Sequence, residues 1–437
     1  MWSNVEKLVT LDTSTCSTVF QQRNSRNNWN SQSIGCYINP MHHWLPARHI
    51  VRCYICWALL IFLAGFYFFP KSKPHNTAYY VLVLLPFLLT LRRQDIRDYW
   101  QSSIFRLTTV FLGYLVLSLA WGEQTTANDW VKYAKRLIYM LGFACMVITC
   151  YNPKFTRQLG LVISGTAIVM AIVSMAIYDS SMYSGSDRLK NFGILEHEIL
   201  AASTYGFAAL MLCYGVKLKV RYIQWVKLIG LTILVLDMML TQSRGPMIAL
   251  ISAIIVAELL AGTHRKIIYA LLITALVTGL LMVNNIIDTP FFISRNGGDS
   301  YRFLIWQQIW QRVMDAPWFG LGLSANETIQ LPACSCIPHP HNIFLATMLY
   351  GGVVGLLFLL TLLVHSLITA YMQNKHHDQI QYIAFLLYGI ICGLSDGNKL
   401  IDHPRPMWLY FWLPVLMVGA QQLNSKQLQL NIKNRDS

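Results

Sequence analysis

Apolar runs long enough to cross a bilayer recur along this 437-residue chain, and short polar or basic stretches separate them. In hydrocarbon every backbone N–H and C=O must be satisfied internally, so a spanning segment is a helix of about 20 mostly apolar residues. Runs near 50–69, 77–91, 104–121, 134–151, 159–178, 199–216, 223–241, 246–262, 266–283, 343–371, 380–395 and 406–422 meet that requirement. The expected fold is an all-α polytopic membrane protein of about 12 transmembrane helices. Only 12% of residues are charged, half of the roughly 25% usual in a soluble domain.

The formal charge of +14 does not point to nucleic acid, because the basic residues fall in short clusters between apolar runs. Arg92, Arg93, Arg97, Lys154, Arg157, Lys217, Lys219, Arg221, Arg265 and Lys266 all fall on one side when the N-terminus is cytoplasmic. That is the positive-inside bias, and it places both termini in the cytoplasm. The organisation read from it is a tail at 1–40, a membrane domain with nine spans at 41–283, and a large outer loop at 284–342. Three further spans at 343–423 and a cytoplasmic tail at 424–437 complete the chain. Residues 1–40 are polar, lack an apolar face and lack the apolar core of a signal peptide, so disorder is expected there. The ten cysteines show no metal-ligand spacing. Cys56 and Cys150, like Cys53, Cys145, Cys213 and Cys392, lie in or beside apolar runs and read as small hydrophobes.

The outer side is not poor in cations. Lys132, Lys135 and Arg136 precede the fourth expected span, Arg188 and Lys190 lie in one outer loop, and Arg244 sits in the sequence TQSRGP. Arg295, Arg302 and Arg312 lie in the long loop. One such residue is a snorkelling side chain. Several on the disfavoured face suggest an anionic ligand, because guanidinium keeps its charge when desolvated and grips phosphate bidentately.

Within the long loop, SYRFLIWQQIWQRVMDAP reads as an amphipathic interfacial helix with Tyr301, Leu304, Ile305, Ile309 and Val313 on one face. Pro317 stops it, and Gly320 and Gly322 permit a turn against other backbone. The stretch PHPHNIFLATMLYGGVVG then delivers His341 to the lip of the tenth span. Asn342 is a candidate helix cap, and the glycines after Tyr350 allow a break or close helix packing. Zinc binding through His339 and His341 lacks a third ligand at helical spacing.

His341-Asn342, nine residues, then Gly352-x-x-Gly355 resembles the H-N-x9-G-x-x-G signature of bacterial O-antigen ligases, whose superfamily also holds O-antigen polymerases and protein O-oligosaccharyltransferases. Ser243-Arg244-Gly245 and the YR…W…P…G.G of Tyr301–Gly322 agree in order. The resemblance covers nearly all the chain from Met41. It implies a membrane glycosyltransferase of GT-C type with no cofactor and no metal. Such an enzyme moves a polysaccharide from undecaprenyl diphosphate to the lipid A–core oligosaccharide on the periplasmic face of the inner membrane. The chemistry can be argued beside it. The departing diphosphate needs cations, for which Arg244, Arg302 and Arg188 are the candidates. The attacking sugar hydroxyl needs a base, and histidine titrates in the useful range without special tuning. His341 is the candidate, with His197, flanked by Glu196 and Glu198, the rival. Asn342, Gly352 and Gly355 support the motif.

Other readings are a polymerase with a second lipid-linked glycan as acceptor, a protein O-oligosaccharyltransferase, and a flippase of lipid-linked sugar. The flippase predicts internal repeats and mid-span charges, and the sequence shows neither. The topology makes a direct prediction. With native thiols removed, an impermeant thiol reagent labels a cysteine placed at position 300 and not one placed at 376; the reverse pattern puts the long loop in the cytoplasm.

Overall fold

The computed structural model describes residues 46–262 and 302–436, apart from 124, 178–187, 217–220, 327–328, 332–333, 338–339, 378 and 398, together with 273, 274 and 277. The expected tail at 1–40, the start of the long loop at 284–301 and His339 lie outside the described residues, as does all but three residues of the expected span 266–283.

The chain is helical, with one short antiparallel pair. In order, the helices are α1 (Pro46–Phe68), α2 (Ser72–Ala78), α3 (Leu85–Thr90), α4 (Arg93–Tyr99), α5 (Ser103–Leu117), α6 (Ala127–Cys150) and α7 (Pro153–Ile177). They continue as α8 (Glu198–Leu210), α9 (Arg221–Leu240), α10 (Arg244–Leu260) and α11 (Arg302–Asp315). The strands β1 (Ile329–Leu331) and β2 (Cys334–Ile337) pair with each other, and α12 (Ile343–His377), α13 (Gln381–Ser395) and α14 (Leu413–Asp436) complete the fold. Among the described residues six helices are long and apolar enough to cross a membrane, and a seventh if the pair Ser72–Thr90 and Arg93–Tyr99, bent by 103°, is one span. The polytopic helical architecture is as expected; the twelve expected runs include 266–283, most of which lies outside the described residues. The expected run 199–216 is the span Glu198–Gly215, whose last turn from Met211 is π-helical.

Helix starts follow local chemistry. Asn152 accepts the Phe155 N–H at 2.8 Å just before α7, and Thr126 with Asp129 forms a reciprocal capping box that starts α6 at Ala127. Lys132, Lys135 and Arg136 therefore lie on the first turns of this helix rather than ahead of it, because the cap fixes the start and not the onset of apolarity. The two ends of the bundle are chemically distinct. At one, Arg52 pairs with Asp95 at 2.9 Å, and Ser103 bridges His365 and Gln422. At the other, loops far apart in sequence lock together through Ile194 N–H to Phe69 O, Trp121 Nε1–H to Phe319 O, and the Thr125–Ser324 hydroxyl pair. Cys56 and Cys150, read as separate apolar thiols, are joined in a disulfide between α1 and α6, with Cα atoms 5.3 Å apart.

The element that positions the site is α12. Gly352 takes φ +63°, ψ −162°, which breaks the helix within its first three turns. Five backbone groups around the break are taken by the turn after α11 and by α5. Val353 and Val354 N–H donate to Pro317 O and Trp318 O, while Leu349 and Tyr350 O accept from Leu321 and Gly322 N–H at 2.8 and 3.0 Å. Tyr114 OH donates to Gly351 O at 2.7 Å. Irregular backbone at membrane depth survives where protein satisfies it, and five bonds do so here.

A β-carbon on residue 352 would collide with the Trp318 carbonyl, and the positive φ is itself strained for other residues. Gly352→Ala is expected to cost at least about 2 kcal/mol from strain and lost hydrogen bonds. Gly113 in α5 has nothing within 4 Å of its β position, so Gly113→Ala stays within about 1 kcal/mol of the parent. Melting temperatures of the two detergent-purified variants measure the contrast; equal shifts refute the stitched break.

Candidate functional site

Asn342 caps α12: its Oδ1 accepts the N–H groups of Phe344 and Leu345 at 2.9 and 3.2 Å. His341 precedes the cap with φ +53°, a left-handed conformation uncommon outside glycine. Two contacts hold it there. Trp306 Nε1–H donates to the carbonyl of Pro340 at 3.2 Å, and His341 Nδ1 lies 2.6 Å from Asp396 Oδ1, just beyond the end of α13. With Nδ1–H donating to the carboxylate, the neutral ring carries its lone pair on Nε2. That is the arrangement of an oriented base: a carboxylate fixes the tautomer and stabilises the ring when it takes a proton. Arg302 opens α11 and is half-buried. It stands four residues before Trp306, on the same face of the helix that braces Pro340.

Arg188, Ser243 and Arg244 come together at the same end of the bundle. Arg188 donates from Nε to Thr241 O at 2.8 Å and from Nη2 to Ser243 Oγ at 2.7 Å. Its Nη1 lies 3.9 Å from Glu198. Arg244 is the exposed first residue of α10. A β-carbon on its neighbour Gly245 would lie 2.5 Å from Ser395 Oγ, so the arginine pair sits beside the residue that precedes Asp396. Of the rival cluster, Glu198 is the counter-charge of Arg188, Glu196 is exposed, and His197 lines a cavity with Asp396. Gly355 lies one turn beyond the break, its β position 3.2 Å from the Tyr114 ring.

Sequence reasoning missed the 396–407 loop, DGNKLIDHPRPM. A cavity of about 240 Å³ is lined by His197, Asp396, Lys399, Asp402, Arg405 and Trp408 among others. Asp402 is gripped by Arg136 at 2.9 Å, Arg405 at 2.8 Å and His403 at 2.7 Å. Burial pushes the Asp402 carboxyl up, but its bond to His403 and the charges of Arg405 and Arg136 outweigh this and hold it below the usual carboxylate range. Lys399 donates to Tyr133 OH at 3.2 Å and lies 5.0 Å from the centre of the Tyr350 ring, two residues before the break. The signal was present: two aspartates, a lysine, a histidine and an arginine crowd twelve residues between apolar runs.

These features define a class: a polytopic helical membrane protein with a carboxylate-held histidine and clustered arginines at one end of the bundle. Comparison with known proteins narrows it. Residues 229–360 match the family model described as O-Antigen ligase, and the matched stretch includes Arg244, Arg302, His341, Gly352 and Gly355. The chain is similar to an O-antigen ligase of Pseudomonas aeruginosa, 27% identical over 372 residues, covering 83% of this chain and 88% of the relative. It is also similar to a putative polysaccharide ligase of Rickettsia conorii, 23% identical over 381 residues, covering 76% of this chain and 88% of that protein. The resemblance to O-antigen ligases read from the signature therefore holds.

The Asp402 cluster carries a pH dependence. A depressed carboxyl adds stability that is complete above its unfolded pKa, about 3.9, and is lost as pH falls through the lower folded value. The melting temperature of the parent should therefore fall more steeply below about pH 4 than that of Asp402→Asn, which starts lower and lacks the titrating group. Parallel curves refute the assignment.

Proposed function

We propose that this protein is an O-antigen ligase of the inner membrane. It would transfer a polysaccharide from undecaprenyl diphosphate to the lipid A–core oligosaccharide, with the site end of the bundle facing the periplasm and a GT-C type arrangement of helices. The observation that carries this reading is the His341–Asp396 pair at 2.6 Å, set beside the Arg188–Ser243–Arg244 cluster and at the lip of an apolar helix. The family match supports it.

In the proposed reaction the acceptor sugar hydroxyl attacks the anomeric carbon of the donor. Its proton passes to His341 Nε2 as the new glycosidic bond forms and the bond to the diphosphate oxygen breaks. Asp396 stabilises the resulting imidazolium through Nδ1–H. Undecaprenyl diphosphate departs as an anion, and guanidinium groups of Arg244, Arg188 and Arg302 offset the charge without a metal ion. A single displacement inverts the anomeric centre. The exposed position of Arg244 suits a group that reaches a lipid-linked phosphate at the interface. The left-handed backbone at His341 sends its side chain toward α13 while Asn342 begins the helix. His197, flanked by Glu196 and Glu198, lines a cavity with Asp396, and Glu198 is paired with Arg188.

Transfer from purified undecaprenyl-diphosphate glycan, with chelator present throughout, tests the reading. His341→Ala should lower the rate about 10²–10⁴-fold, the usual worth of general base catalysis. Asp396→Asn, which keeps a hydrogen-bond partner but no charge, should fall at least about tenfold, and Asp396→Ala further. A wild-type rate in His341→Ala, or abolition by chelator alone, refutes the metal-free histidine mechanism. Product that grows only on a second lipid-linked glycan, or only on a protein side chain, identifies a polymerase or a protein O-oligosaccharyltransferase instead.

A further inference from the structure

The first turns of α6 carry cations that the His341–Asp396 mechanism does not use. Lys132 and Lys135 are exposed and Arg136 is half-buried. Val131, Lys135 and Ile138 stand at i, i+4 and i+7, one face of the helix, and Val131 and Ile138 are 53% and 51% exposed. On a bundle that crosses a membrane, an exposed apolar stripe of this kind faces lipid. Lys135 therefore lies in a lipid-facing stripe near the helix end, where its ammonium reaches headgroup level. Trp130, 40% exposed, lies beside it, as interfacial tryptophans do.

The carboxylates that face these cations are accounted for. Asp129 closes the capping box with Thr126 and lies 3.8 Å from Lys132. Asp402 is shared by Arg136, Arg405 and His403, and Asp396 holds His341. Among the described residues of α6 and the 396–407 loop, these three acids stand against Lys132, Lys135, Arg136, Lys399 and Arg405, a surplus of positive charge. A cavity of about 240 Å³ lies along the 396–407 loop, where Lys399, Asp402 and Arg405 share its wall with Asp396, the carboxylate that holds His341. At that size it takes a small group rather than a whole ligand, whose pockets run from about 300 Å³ upward. The arginine cluster at Ser243 belongs to α9 and α10 and has separate partners.

We infer that the α6 rim and the 396–407 loop form the headgroup site for the acceptor, a phosphorylated glycolipid of the facing leaflet, with Lys132, Lys135 and Arg405 meeting its phosphates. The identity of the lipid rests on the ligase reading; the anionic-lipid site rests on the geometry. Lysines suit this task, since a mobile point charge follows a lipid phosphate in a fluid leaflet, whereas the fixed fork of Arg188 suits a diphosphate held for reaction. The donor and acceptor phosphates then meet two different basic clusters, both linked to Asp396.

The test uses the detergent-purified full chain, with lipid binding measured by native mass spectrometry. The probes are diphosphoryl lipid A, the same lipid with both phosphates removed, and phosphatidylglycerol. The charge-reversed variant Lys132→Glu/Lys135→Glu alters only exposed side chains, and Lys132→Ala/Lys135→Ala provides a milder form. A basic residue near an anionic surface is worth about fivefold in binding. Diphosphoryl lipid A should therefore bind at least about tenfold more weakly to the charge-reversed variant, with the dephosphorylated lipid indifferent to the change. In transfer assays the KM for lipid A–core should rise in step while the KM for the donor does not. Wild-type binding by both variants overturns the site, and phosphatidylglycerol binding as tightly as diphosphoryl lipid A overturns the glycolipid as its occupant. If the parent transfers nothing to lipid A–core, the ligase reading fails, but phosphate-dependent binding lost in the variants still upholds the anionic-lipid site.

Discussion

The break of α12 at Gly352 is the constraint on which the site depends. An uninterrupted helix would offer no free carbonyls at Leu349 and Tyr350 and no free N–H groups at Val353 and Val354, so the turn that follows α11 would have nothing to join. Because the helix opens there, the Pro317–Gly322 turn is stitched into it by backbone bonds alone. Those bonds carry α11 with them, and α11 in turn supplies Trp306 to the carbonyl of Pro340. The long loop is thus tied to the membrane bundle at two points on either side of His341. Its placement combines the buried face of α11 at Ile305, Ile309 and Val313 with a backbone account that must close in a medium with few alternative partners.

Charge at the site end is arranged in separate local groups rather than one network. Asp396 serves His341, Glu198 serves Arg188, and Asp402 serves Arg136, Arg405 and His403. Partly buried ion pairs are weak contributors to stability, since desolvation offsets much of the Coulomb gain. Three such groups at one end of a largely apolar molecule are better explained by work done there than by a need for stability. At the other end Arg52 pairs with Asp95, and Ser103 bonds His365 and Gln422.

Much of this was legible before the fold was known, and what was not has a common cause. The cap at Asn342, the helix break in the glycine run, the turn at Gly320 and Gly322, and the buried face of α11 at Ile305, Ile309 and Val313 are local consequences of local sequence. Asp396 was not legible because it lies 55 residues from its partner and ends an apolar run whose last turn gives no sign of what stands beside it. The pairing of Arg136 with Asp402 and of Cys56 with Cys150 failed for the same reason. The onset of α6 was misplaced because hydropathy begins later than the capping box that starts the helix.

The spacing of the signature follows from what is fixed at each end. Residues 343–351 are a helix of nine residues, about 13 Å long at 1.5 Å per residue. Its start is set by the Asn342 cap and by His341, which the Asp396 contact and the Trp306–Pro340 bond hold in a left-handed backbone. Its end is set by Gly352 and the bonds from the 317–322 turn. A helix pinned at both ends is a rigid peg, and its length decides how far the imidazole stands from the stitched break. One residue more or fewer would rotate the histidine by about 100° around the helix axis, away from Asp396, while the glycine break stayed in place. Nine residues between the His-Asn pair and the glycine is therefore a geometric requirement: it is the length that lets one short helix satisfy the turn at one end and α13 at the other.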